Sequence, residues 1–146
     1  MLFIASLICS YMVLLLGLAV AAPGIGFTGS VLNLVPDGWR DWAHVPAYGL
    51  LAWLVMLGFR RRGWPLPYAV LAGVSFSTVF GLWTEIAQGG TPDREASLHD
   101  ILNDLLGGMA AATLMAWQHT KARWSPGFVF VRRTSRRYLK KGTWSK

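Results

Sequence analysis

The sequence predicts an all-α membrane protein with four transmembrane helices and both termini cytoplasmic, and three observations carry that prediction. The chain is 53% hydrophobic and only 14% charged over 146 residues, a poor composition for the surface of a small soluble domain. Four apolar runs, Leu2–Ala22, Trp42–Phe59, Leu66–Gln88 and Leu98–Trp117, each approach the roughly 20 residues needed to cross a hydrocarbon core of about 30 Å. When these runs are threaded alternately through a bilayer, twelve of the fourteen Lys and Arg residues fall on one side, as the excess of positive charge on cytoplasmic segments requires.

The first run contains no charged residue. Its end, "AVAAP" at Ala19–Pro23, is similar to a signal-peptide cleavage site, yet the run is about twice the length of an ordinary signal core and no Lys or Arg precedes it. It is therefore read as a retained span. Cys9, the single cysteine, lies inside this run, which excludes an intramolecular disulfide or a cysteine-only metal site and leaves it as a small apolar filler. The segment Pro23–Asp41 has Gly and Pro at turn positions, an amphipathic middle and tryptophans at its end, the pattern of a loop lying along the membrane interface.

The second run carries only His44, and it ends at Arg60, Arg61 and Arg62, which place the hinge to the third run on the cytoplasmic side. The third carries only Glu85, near its end; the fourth carries His99, Asp100 and Asp104, near its start. All seven acids then map to the outer face or to outer helix ends. Residues 1–117 form the transmembrane domain, and residues 118–146 form a cytoplasmic tail with nine basic residues, no acid, and interleaved aromatics such as Trp124, Phe130 and Trp144. Such a tail anchors topology and attracts anionic lipid headgroups at roughly 1 kcal/mol per basic residue near the surface. No motif points to a nucleic acid partner, and nothing in the sequence specifies an oligomeric state.

Within this apolar chain the polar residues form stripes. His44 and Tyr48 are four apart and share a helix face; Glu85 and Gln88 share a face with Gly81; Asp100, Asp104 and Gly107 make a third stripe, with Asn103 beside it. All three stripes lie at the outer ends of their helices and can converge, beneath a connector, "GGTPDREAS", that carries Arg94. Ionisable groups at membrane depth are costly, about 2.5–3.5 kcal/mol for Asp at a helix centre on translocon scales, so they usually face a bundle interior with partners.

These residues also carry a resemblance. "HVPAY", then "EIAQ", then "PDREASLHDILNDLLGG" resemble the VanZ-like family of small bacterial membrane proteins, over about residues 41–112. His44, Tyr48, Glu85, Gln88, Pro92, Arg94, Ser97, Asp100 and Gly107 match family positions, whereas Thr84 replaces a frequent acid, Val45 a usual Phe, and Asp104 a usual Asn, with Asn103 one place early. The resemblance implies a multi-pass protein of the bacterial cytoplasmic (inner) membrane with a polar site toward the cell envelope. The family is named for a member linked to resistance to the glycopeptide antibiotic teicoplanin, and its biochemical activity is not established.

Several residues have a structural reading beside the functional one. Ser97-x-x-Asp100 is close to a capping box, which accounts for Ser97 and competes with a site role for Asp100. Gly107 and Gly108, followed by Ala110–Ala112, read as a close helix-packing face. Arg94 either neutralises a buried acid or holds an anionic group.

Two function classes follow. In one, the protein binds or acts on a lipid-linked or phosphate-bearing envelope substrate: Glu85, His44 and Asp100 are the catalytic candidates, and Arg94, Tyr48, Gln88, Asn103 and Asp104 the substrate-binding ones. A Glu85–Asp100–Asp104 cluster would there bind a divalent cation or share a proton, and His44 would be acid or base. In the other, the cluster locks a four-helix bundle and the protein is a non-catalytic membrane scaffold or assembly factor. Ion-coupled transport is weaker, because four spans leave little pathway without an oligomer. No nucleophilic Ser or Cys motif, Gly-rich phosphate loop or His/Cys zinc spacing is present.

Overall fold

The computed structural model of the chain describes residues 2–20, 30, 36–89 and 97–124. Among them are four α-helices and no strand: α1 (Leu2–Ala19), α2 (Asp37–Arg61), α3 (Leu66–Gln88) and α4 (Leu98–Trp124). Three segments, Leu2–Ala19, Asp41–Arg61 and Leu66–Gln88, are long and apolar enough to cross a membrane. Large apolar side chains such as Phe3, Val13, Leu71, Val79 and Ile86 are exposed on these helices, an arrangement that lipid tolerates and water does not.

The helices match the sequence reading closely, with shifted ends. α2 begins at Asp37, five residues before the predicted span, so the last part of the expected interfacial loop is helical. Most of that loop, and the tail beyond Trp124, lie outside the described residues. α4 continues seven residues past Trp117. The chain divides into two compact units, residues 1–113 and 114–146; within the second, Lys121 Nζ sits 3.8 Å over the Trp117 ring and Thr120 donates to the Trp117 carbonyl.

The hinge between α2 and α3 shows how local chemistry ends one helix and starts the next. Gly63 has φ +83°, the left-handed conformation that closes helices. Trp64 N–H donates to the Phe59 carbonyl at 3.2 Å and Gly63 N–H to the Arg60 carbonyl at 3.0 Å, the two bonds of a Schellman motif. The apolar contact that accompanies this motif is the Phe59–Trp64 ring pair, edge to face at 4.6 Å. Arg60 closes the turn by donating to the Trp64 carbonyl at 2.6 Å. Pro65 and Pro67 then start α3 where a missing N–H costs no internal bond. Pro46 inside α2 leaves the Trp42 carbonyl without its usual donor, a defect that membrane helices tolerate.

Leu15, Tyr48, Leu51, Val55 and Phe80 form the buried core, with Ile8, Met12 and Leu16 of α1 packed against it. Tyr11 of α1 donates to the Ala47 carbonyl of α2 at 3.0 Å. Glycines set the close crossings. A Cβ on Gly73 of α3 would strike Met56 and the Ala52 carbonyl of α2. A Cβ on Gly107 of α4 would strike the Val45 carbonyl and meet the Gly49 nitrogen at 2.9 Å, so α2 and α4 touch backbone to backbone. Gly108 lies against Ser77 and Val74 of α3. The packing role expected of Gly107 and Gly108 is what the structure shows.

Candidate functional site

Three helices bring polar side chains together at one end of the first unit. α2 contributes His44 and Tyr48, one turn apart, their rings stacked at 5.6 Å with planes 12° apart. α3 contributes Thr84, Glu85 and Gln88, all buried, and α4 contributes Asn103 and Asp104, also buried, with Asp100 half-buried one turn before Asp104. Glu85 and Asp104 are 1% and 0% exposed, too little for water to screen their charges. The three stripes predicted from helical spacing therefore do meet.

Their pairing is specific. His44 Nδ1 lies 2.9 Å from Asp104 Oδ1, linking α2 to α4. The other Asp104 oxygen is buried without a hydrogen-bond partner among the described residues and packs against Gly81, where any Cβ would collide with it. Gly81 is thus the seat that lets a carboxylate enter the α3–α4 contact. Tyr48 and Thr84 share a short hydrogen bond between α2 and α3, and Thr84 Oγ1 also donates to the Gly81 carbonyl at 2.8 Å. A hydroxyl has one proton, and the carbonyl can only accept, so the Tyr48 phenol is the donor to Thr84.

Glu85 reaches the start of α4. Its Oε2 accepts the Ser97 backbone N–H at 2.8 Å. That N–H precedes the first turn and is the donor a capping-box acid would satisfy, so the carboxylate that answers it comes from a neighbouring helix. A carboxylate at this position also benefits from the positive end of the α4 dipole. Asn103 Nδ2 donates to the Asp41 carbonyl at 3.1 Å, a second polar tie between α2 and α4, and lies 3.4 Å from His99 Nδ1.

One ligand atom each from His44, Glu85 and Asp100 lie within 4.8 Å of one another. Nδ1 is engaged by Asp104, so Nε2 is the ring nitrogen not used in that contact. A carboxylate holding the far side of an imidazole is the arrangement that orients a histidine either for proton transfer or as a metal ligand. The convergent set therefore differs from the predicted Glu85–Asp100–Asp104 cluster: Asp104 turns to His44, and His44 joins Glu85 and Asp100. Arg94, with Pro92 and the rest of residues 90–96, lies outside the described residues.

Sequence spacing did not assign functions to Thr84, Gly81 or the Ser97 N–H. Thr84 was visible as the one hydroxyl beside Glu85, but its pairing with Tyr48 depends on how α2 and α3 are rotated about their axes. Compared with family models, curated proteins and solved structures, the chain matches none.

Proposed function

We propose that the chain is a VanZ-like integral membrane protein of the bacterial cytoplasmic membrane whose polar site faces outward and binds or acts on a cell-envelope substrate, lipid-linked or phosphate-bearing. α4 is the fourth span, and both termini are cytoplasmic; the supporting observation is the partition of basic residues, with Arg60–Arg62 and the tail on one side. The observation that carries the site reading is the approach of His44, Glu85 and Asp100 within 4.8 Å, with Asp104 2.9 Å from His44 Nδ1. In this reading His44 moves a proton, and Glu85 and Asp100 share a proton or would hold a divalent cation that meets the substrate. Arg94 meets the anionic part of the substrate, Gln88 and Asn103 border it, and Asp104 and Tyr48 position. The resemblance points the readout toward glycopeptide susceptibility.

A second reading, a scaffold or assembly factor with a structural polar lock, draws on the Tyr48–Thr84 and Asn103–Asp41 bonds, which tie α2 to α3 and to α4. Glu85→Gln separates the two. The amide keeps the shape of the carboxylate and can still accept from Ser97, but it carries no charge and exchanges no proton. The site reading expects a folded, inserted protein that no longer changes envelope-antibiotic susceptibility. The structural reading expects a loss of roughly 1.5–3 kcal/mol in stability with the folded fraction still active. A destabilised but fully protective variant would overturn the site reading.

A further inference from the structure

At the opposite end of α2 the first unit has a groove whose chemistry is unlike that of the polar site. It is lined by Ile4, Ala5 and Ile8 of α1 and by Val55, Gly58 and Phe59 of α2, together with Arg61 and Arg62 at the end of that helix. Both sets of apolar residues follow helical spacing, so two faces meet in line. Gly58 gives the groove depth: a Cβ there would touch Ile4 and Ile8 at only 3.6 and 3.9 Å, ordinary contact, while any longer side chain would fill the space between the helices. Arg60 is committed to the Trp64 carbonyl, whereas Arg61 and Arg62 are exposed and line the groove. The segment Asp41–Arg61, long and apolar enough to span, ends at this point, and Trp64 beside it is 45% exposed. Arg and Trp at the end of a span mark the headgroup level.

We propose that this groove holds one anionic phospholipid, with an acyl chain along Ile4, Ile8, Val55 and Phe59 and its phosphate between the Arg61 and Arg62 guanidiniums. The apolar floor requires a hydrocarbon chain, which excludes a soluble anion as the occupant. The two guanidiniums require a phosphate that they can grip through paired N–H donors, and they repel the extra cation of a zwitterionic headgroup. The site stands apart from the polar cluster and does not depend on the function proposed for it.

The test is native mass spectrometry of the full-length protein in detergent, titrated with phosphatidylglycerol and, separately, with phosphatidylcholine. Wild type is expected to retain one phosphatidylglycerol in preference to phosphatidylcholine. Arg61→Gln/Arg62→Gln, both at an exposed helix end, should weaken that retention about thirty-fold, the loss expected from two headgroup-facing cations. Gly58→Leu should abolish it and Gly58→Ala preserve it. The double variant keeps the basic tail intact, so binding through the tail would survive it. Equal retention of the two lipids, undiminished binding by the double variant or by Gly58→Leu, or displacement of the lipid by millimolar inorganic phosphate would each overturn the proposal.

Discussion

The two ends of α2 both carry charged and polar side chains, and the protein treats them in opposite ways. At the N-terminal end His44 and Tyr48 turn inward, bonded to Asp104 of α4 and Thr84 of α3, among acids that are almost fully buried. At the C-terminal end Arg61 and Arg62 stay exposed, and the one arginine with a described partner, Arg60, closes the chain's own turn. Exposed charge beside a headgroup layer costs little and reports on orientation. Buried charge costs several kcal/mol unless it is bonded, so a fold that keeps it has invested neighbouring helices in satisfying it. Composition shows both ends as polar interruptions; burial and pairing separate an anchor from a candidate site.

Substitutions can sharpen or break this contrast. The largest effect is expected at the crossing that holds the polar end together. Gly107→Val places a branched side chain against the Val45 carbonyl and the Gly49 nitrogen, backbone atoms with no rotamer to escape into, and should cost about 3 kcal/mol, the upper end of overpacking penalties. Thermal unfolding in detergent would show it, and near-wild-type melting would mean that α2 and α4 do not touch there. Next is Asp104→Ala, which strips His44 of its described partner and should lower stability by roughly 1.5–3 kcal/mol. Unchanged unfolding in this variant would remove the case for a buried pair.

Tyr48→Phe deletes only the donor to Thr84, which keeps its own bond to the Gly81 carbonyl, so a loss of about 1 kcal/mol is expected. At the other end of α2, Arg61→Gln should shift stability by less than about 0.5 kcal/mol, as surface substitutions usually do. If the Arg61 variant unfolded earlier than the Tyr48 variant, the distinction between the two ends would fail.

The helices were legible because their apolar runs are long and their interruptions few. The candidate site was legible in outline because residues three and four apart must share a helix face: His44 with Tyr48, Glu85 with Gln88, Asp100 with Asp104. Spacing along one helix does not say how far its neighbour is rotated, and that is why the partners were missed. Spacing groups Asp104 with the other acids, whereas in the structure it meets His44 and packs against Gly81. Likewise the Ser97 N–H looked like the concern of its own helix until Glu85 was seen to reach it. Tyr11 was lost for a different reason: a single hydroxyl in an uncharged run leaves no pattern, and its acceptor is a backbone carbonyl that every residue possesses.

The contact between Gly107 and the Val45–Gly49 backbone acts as a ruler for the chemistry beside it. His44 adjoins Val45, and Asp104 is one turn from Gly107, so the span between imidazole and carboxylate is measured from two main chains in van der Waals contact. Side chains elsewhere in the core can change rotamer or swap a methyl group, and helix ends can splay with temperature, without altering that measurement. Drift in the surrounding apolar residues should therefore be absorbed at the periphery, leaving position 107 with almost no freedom to vary while the lipid-facing positions around it diverge.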